Sequence, residues 1–433
     1  MKVSTKQQRI AELAKRSPEV SFTSLNHYLD LEWLEAAYRR LRKDSAPGHD
    51  AQTVQDYGEE LEANLRSLLG RAKSGSYFAP PVRRVYVPKG TGKELRPIGV
   101  PSTEDKLLQR AVAMLLEPIY EQDFLDCSYG FRPGRSAHDA LDALWRQSME
   151  ARVQWILDVD ISQFFDTLDH AQLRTLLHHR VRDGVITRLV GKWLNAGVLE
   201  QGAVHYPEQG TPQGGSISPL LSNVYLHYVL DLWFAAEVKP RMKGRAFMIR
   251  FADDAVMGFE RQEDAERVLR VLRKRFVKYG LTLHPDKTRL VPFGRPKDAA
   301  ADRPGTFDFL GFTHYWGRSQ KGKWVIKRKT ARTRLNRGLK RIGEWCRVNR
   351  HRPLAEQHAN LTQKLQGHFA YFGITGNARW IRQYREGVKK LWCKWLNRRS
   401  RGAPMAWERF QRLLRRYPLP VARVVHSIYV ANP

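Results

Sequence analysis

Cysteine is scarce in this chain of 433 residues, and the three present, Cys127, Cys346 and Cys393, are too scattered for a disulfide framework or a zinc site. Residues 1–22 are polar and mixed in charge, with no apolar run long enough for a signal peptide or a membrane span, so no membrane partner is expected. Internal repeats and low-complexity linkers are also missing. Acidic residues are in short supply: 44 Asp+Glu stand against 74 Lys+Arg, for a net charge of +30 and a pI near 10.2. A surplus that large exceeds what solubility needs and points to a polyanionic partner. It is also uneven, because residues 317–433 hold 29 Lys+Arg and only 4 Asp+Glu. Binding and chemistry are therefore expected to be partly separated along a chain long enough for two or three domains.

The few acidic residues matter by their placement. Phe251-Ala252-Asp253-Asp254 lies between two apolar runs, 246–250 and 255–259. The pattern predicts a β-hairpin whose tight turn projects two adjacent carboxylates. An isolated Asp-Asp is most often an ordinary polar turn. A second carboxylate-bearing strand upstream, 155–161, changes the reading: Asp158 and Asp160 fall on one face, with Leu157, Val159 and Ile161 on the other. If that strand pairs with the hairpin, Asp160 approaches Asp253 and Asp254. Three carboxylates then suit two magnesium ions roughly 3.5–4 Å apart, the clamp used for in-line phosphoryl transfer. Together the two segments point to a polymerase palm. Between them runs 209–220, Gln-Gly-Thr-Pro-Gln-Gly-Gly-Ser-Ile-Ser-Pro-Leu, whose glycines allow close backbone approach and whose Pro219 fits the first turn of a helix.

The strings at 160–166 (DISQFFD), 210–219 (GTPQGGSISP) and 251–254 (FADD) resemble three successive palm motifs of reverse transcriptases. More narrowly, 128–136 (SYGFRPGRS) and 95–101 (LRPIGVP) resemble group II intron-encoded reverse transcriptase/maturases. The order and spacing match from about residue 45 to about residue 425. Phe251 stands where the family usually has tyrosine, which removes a hydroxyl and keeps the ring.

The resemblance implies an α+β fold: a right-hand polymerase with fingers, a palm of antiparallel sheet plus helices, and an α-helical thumb that doubles as the maturase domain. It divides the chain into an N-terminal extension of the fingers (1–60), fingers (61–155), palm with interleaved helices (156–317), thumb/maturase bundle (318–400) and a basic C-terminal segment (401–433), taken as a rudimentary DNA-binding region. It makes Asp160, Asp253 and Asp254 the metal ligands, joined by the Ile161 carbonyl, for two Mg2+ ions with Mn2+ as a substitute. Phe165 resembles the gate that excludes a 2′-hydroxyl, while Phe164 beside it suits the core. Gln213 and Gly214 resemble the segment touching the templating base pair. Lys89 and Arg96 look like fingers residues for the incoming triphosphate, and Lys287, in 279–288, like a proton donor to the pyrophosphate. For each of these three cations solvated surface charge is the plainer alternative. The segment 307–312 resembles a primer grip, supporting by shape alone.

In the basic region, Leu335, Leu339, Ile342 and Cys346 repeat at helical spacing, as do Leu361, Leu365 and Phe369, and Trp380, Tyr384, Val388, Leu391 and Trp395. Three such helices make a small bundle with basic outer faces. Its tryptophans suit the core, and Arg398, Arg399 and Arg401 are the candidates for RNA phosphates. Residues 31–43 suggest a further short amphipathic helix. Paired cysteines and histidines of the kind many relatives carry in a C-terminal endonuclease are missing, so an endonuclease-free chain priming from another source is expected. The resemblance implies RNA-directed DNA synthesis, intron RNA binding, splicing and retrohoming. Its implied partners are group II intron RNA, RNA template with DNA primer, deoxynucleoside triphosphates and target DNA, in a bacterial cytoplasm or at the nucleoid. Monomer and homodimer are both compatible with the sequence. Two other readings stay open: a maturase-only splicing cofactor, and a domesticated free-standing reverse transcriptase in repair or defence.

Overall fold

The computed structural model describes residues 2–88, 95–200, 202–206, 209–210, 214–296, 304–399 and 405–427. Lys89, Gln213 and Arg401 lie outside them. The chain forms two compact units, one of residues 1–140 and 155–290, the other of 141–154 and 291–433.

In the first unit a long helix, Thr103–Asp123, is buried on nearly every face, its central run 111–116 apolar throughout. Ser102 caps it, its hydroxyl accepting from the Asp105 amide at 3.1 Å. Trp33, from the short helix Leu31–Arg39, donates its indole N–H to the Ala111 carbonyl at 2.9 Å. Strands β1 (Val82–Pro88) and β2 (Leu95–Val100) form an antiparallel hairpin. The central sheet is built on β3 (Trp155–Val159), which β4 (Val198–Glu200) and β5 (Ala203–His205) do not join; those two extend the β1–β2 sheet. Strands β6 (Ala246–Phe251) and β7 (Asp254–Phe259) complete the central sheet in the order β6-β7-β3-β8, with β8 (Arg289–Pro292) at the edge. Pro219 does sit in the first turn of a helix, Ser218–Leu226, buried along almost its whole length. The α+β class is thus observed.

The second unit joins a three-stranded antiparallel sheet to helices. Strands β9 (Phe307–Phe309) and β10 (Phe312–Arg318) are linked by Leu310 and Gly311, both at positive φ, 49° and 82°, the requirement of a type I′ turn. Strand β11 (Trp324–Thr330) pairs along the full length of β10. The three helices expected from periodicity are Arg332–Val348, Leu354–Phe372 and Ala378–Leu396, and their apolar stripes meet in one core around Leu361, Leu365, Val388 and Trp392. Trp392 satisfies its indole N–H on Gln357 Oε1 at 2.9 Å, both groups buried. A fourth helix, Trp407–Arg416, was not anticipated; it is held by fully buried Phe410 against Trp392. Among the described residues no helix is long and apolar enough to cross a membrane.

Candidate active site

The carboxylate hairpin forms as expected, with Phe251 opposite Asp254 in register. Ala252 and Asp253 are therefore the two turn residues, and Ala252 adopts φ 57°, a left-handed conformation uncommon for a residue with a Cβ. Strand β7 pairs antiparallel with β3, Val159 facing Ala255 and Asp158 facing Val256. Asp160 follows directly on the end of β3, one step beyond Val159, on the side of the sheet where the hairpin turn lies. Fold and register thus bring together the two segments that the sequence separates by about ninety residues.

Electrostatics agree with that proximity. Burial pushes the Asp253 carboxyl above its ordinary value and the negative charge of Asp160 pushes it the same way, while Arg96 and Arg250 oppose the rise. Arg96, at the second residue of β2, therefore acts on the carboxylate turn even though its side chain is exposed. Lys287 places its ammonium 3.4 Å from Asp160 Oδ1. The 279–288 segment is held against Asp160 by backbone as well: the His284 amide donates to the Asp160 carbonyl at 2.8 Å, and the Ser162 amide to the Thr282 carbonyl at 2.8 Å. Asp158, by contrast, meets Arg289 at 3.4 Å. Its carboxylate is largely covered, 14% exposed, while the guanidinium of Arg289 stays exposed.

Among the described residues no three His, Cys, Asp or Glu side chains are already gathered as a coordination shell. The donors still suit a hard divalent cation: carboxylate oxygens on adjacent strand ends, with Asp253 half-buried and raised by its like-charged neighbour, are relieved by a cation between them. Ile161 is buried and bridges to Leu283 beside this group. Phe164 is buried and packs edge-on against both Phe165 and Tyr225, whereas Phe165 is only partly covered. Gly214 has φ 128°, and a Cβ there would lie 2.3 Å from the Gly99 carbonyl oxygen, so Gly214 rests on the strand that carries Arg96. In the second unit, Arg398 is exposed with its guanidinium over the Trp395 ring at 5.1 Å. Arg399 instead donates to the carbonyls of Arg350 and Arg352, so its fork braces a turn.

Sequence reasoning missed the device under the hairpin. Arg250 is completely buried in β6 and all five of its guanidinium N–H groups are used. Two meet Asp231 at 2.7 and 2.6 Å, one the Asn223 side-chain oxygen at 2.9 Å, one the Ala252 carbonyl at 2.8 Å and one the Ser128 hydroxyl at 2.7 Å. Asn223 in turn donates to the Gly130 carbonyl at 2.7 Å. A Cβ on Gly130 would lie 2.3 Å from the Ala252 nitrogen. The 128–136 segment is therefore packed directly on the carboxylate turn, and one buried cation ties both to the helix behind. An arginine inside an otherwise apolar strand was the available signal.

A family model for reverse transcriptase (RNA-dependent DNA polymerase) matches residues 87–314, just over half of the chain and all of the carboxylate segments. The chain belongs to the reverse transcriptase family. Its relatives place it with the group II intron reverse transcriptase/maturases. It is 39% identical over 235 residues to the group II intron-encoded protein LtrA of Lactococcus lactis subsp. cremoris, covering 52% of this chain and 38% of that one. It is 38% identical over 234 residues to protein YkfC of Escherichia coli (strain K12), covering 52% and 61%. A putative COX1/OXI3 intron 1 protein of Saccharomyces cerevisiae is 26% identical over 373 residues, covering 72% and 43%. The matches thus span less than two thirds of each of these relatives.

Proposed function

We propose that this reverse transcriptase-family chain is an RNA-directed DNA polymerase that also binds a group II intron RNA, assisting its splicing and its retrohoming into target DNA. The observation that carries the reading is the β6-β7-β3 pairing, which sets Asp160 beside the Asp253–Asp254 turn with Lys287 and Arg96 in electrostatic reach. Asp160, Asp253 and Asp254, with the Ile161 carbonyl, would hold two magnesium ions, or manganese in their place. Bound divalent ions supply the charge that activates a primer 3′-hydroxyl and offsets the leaving pyrophosphate.

The chain's own groups do the rest. Arg96, on an exposed hairpin, presents a fork suited to the triphosphate oxygens of a deoxynucleotide. Lys89, the next residue in sequence after β1, shares that task. Lys287, 3.4 Å from Asp160, carries a proton suited to the leaving pyrophosphate. Phe165 stands against the sugar and excludes a 2′-hydroxyl, while Gln213 and Gly214 line the templating pair. Arg398 and the basic faces of the helices in the second unit bind RNA phosphates. Fingers, palm and thumb are the functional divisions of this reading, and a bacterial cytoplasm its setting.

Extension of a DNA primer on an RNA template, with deoxynucleotides and magnesium, tests it. Magnesium-dependent extension is expected. A folded wild-type chain that binds RNA tightly in a salt-sensitive manner and extends nothing would favour a maturase-only splicing cofactor, which the charge surplus of residues 317–433 would serve equally well.

A further inference from the structure

The 128–136 segment presents one feature that neither the metal site nor the buried network uses. Phe131 is 59% exposed and adopts φ 58°. A bulky aromatic residue in the left-handed region is an outlier whose cost persists only where the surroundings impose it. Here they do. On one side Gly130 is pressed onto the Ala252 backbone and its carbonyl is held by Asn223. The Tyr129 amide donates to the Arg250 carbonyl at 2.9 Å. On the other side the Arg132 guanidinium, buried, donates to Glu121 and to the Leu125 and Ser128 carbonyls at 2.8 and 2.9 Å. The arginines of this segment are both paired: Arg132 in that buried clamp, Arg135 with the exposed Asp126 at 2.6 Å. What the segment offers to solvent beside the carboxylate turn is an uncharged ring on a rigid mount.

We propose that Phe131 is a contact platform for the primer-terminal nucleotide of the primer–template duplex, its ring lying against the sugar or base next to the 3′ end. The inference rests on the polymerase reading above. Its location decides the occupant: Gly130 touches the backbone of the turn that carries Asp253, so a nucleotide whose 3′-hydroxyl reaches Asp253 lies alongside the next residue, Phe131. The chemistry agrees, because a π-face accepts any base or sugar and is tolerant of sequence, as copying an arbitrary template requires. A phosphate contact would call for the arginines, and both are already held in ion pairs, Arg132 with Glu121 and Arg135 with Asp126.

The test compares wild type with Phe131→Gly, Phe131→Asn and Phe131→Trp in the full chain. Gly and Asn both accept positive φ, so removal of the ring is separated from damage to the fold; thermal melting should show them no less stable than wild type. Affinity for a primer–template duplex, read by fluorescence anisotropy, and the KM for that duplex in extension are expected to weaken about tenfold in both, while the KM for deoxynucleotide stays within about twofold. Phe131→Trp should retain wild-type duplex affinity. Wild-type extension together with unchanged duplex affinity in Phe131→Gly would overturn the platform and leave the polymerase reading intact. A wild-type chain that fails to extend would overturn both.

Discussion

Replacing Asp231 by leucine leaves the Arg250 guanidinium buried, with two of its five N–H groups unpaired. Removing one partner of a buried, hydrogen-bonded pair costs about 3–5 kcal/mol. The pair is 2.6 Å apart with both side chains fully inaccessible, so water cannot soften the loss. Arg250→Met strands Asp231 instead and also orphans the three other acceptors of the guanidinium, for about 6–8 kcal/mol. The double replacement has a different composition of losses. It orphans the Asn223 oxygen, the Ser128 hydroxyl and the Ala252 carbonyl, at about 1 kcal/mol each, but it leaves no unpaired charge. Its expected cost is therefore about 3 kcal/mol, against about 9–13 for the sum of the single changes. Urea unfolding of the four proteins reads the coupling directly. Primer extension reads the second consequence: without the tether on its carbonyl, Ala252 is free to leave φ 57°, and Asp253 shifts. A misplacement of about 1 Å is worth roughly a hundredfold in rate. Additive single changes, or an Arg250→Met protein that extends at the wild-type rate, would refute the idea that this network sets the turn.

Three further outcomes follow from the site. Because the Asp253 carboxyl is raised above its ordinary 3.8, the folded state holds a proton that the unfolded state has lost; metal-free stability falls as pH rises from about that value through the raised one. Asp253→Asn should flatten that part of a pH-dependent unfolding curve and abolish extension. Gly130→Ala sets a Cβ against the Ala252 backbone, which cannot swing aside as a side chain would; a loss of about 1–3 kcal/mol in urea unfolding and a marked fall in extension rate are expected. Phe165→Val, by opening space at a half-covered ring, should raise ribonucleotide incorporation relative to deoxynucleotide, measured as the ratio of kcat/KM values.

Local pattern carried much of this architecture. Apolar runs around Asp253–Asp254 and along 155–161 announced three strands, and the helical period of Leu361, Leu365 and Phe369 announced a helix of the bundle. The register that unites the strands was a conditional inference, since no local signal shows that β3 pairs with β7. The Arg250 network was hidden for a related reason. Its partners lie 19, 27 and 122 residues away, and an arginine in a strand reads equally well as a solvated edge residue. The reason for Gly130 is likewise distant, in the backbone of Ala252. Residues 141–154 join the second unit because Asp142 pairs with Arg328 at 2.9 Å and Trp145 donates to the Ile326 carbonyl at 3.0 Å, contacts that close loops of more than 180 residues. The helix Trp407–Arg416 was obscured by charge: four arginines and one glutamate in ten positions mask the single buried anchor, Phe410.

The central claim is that the Asp160–Asp253–Asp254 site makes DNA on an RNA template while the basic helices hold RNA independently of it. The most direct test runs wild type and Asp253→Ala side by side, measuring primer extension with magnesium and salt-dependent RNA binding on the same preparations. The account predicts extension by the wild type alone and equal RNA affinity, with the same salt slope, for both. Extension by folded Asp253→Ala at the wild-type rate, or loss of RNA binding in step with extension, would contradict it.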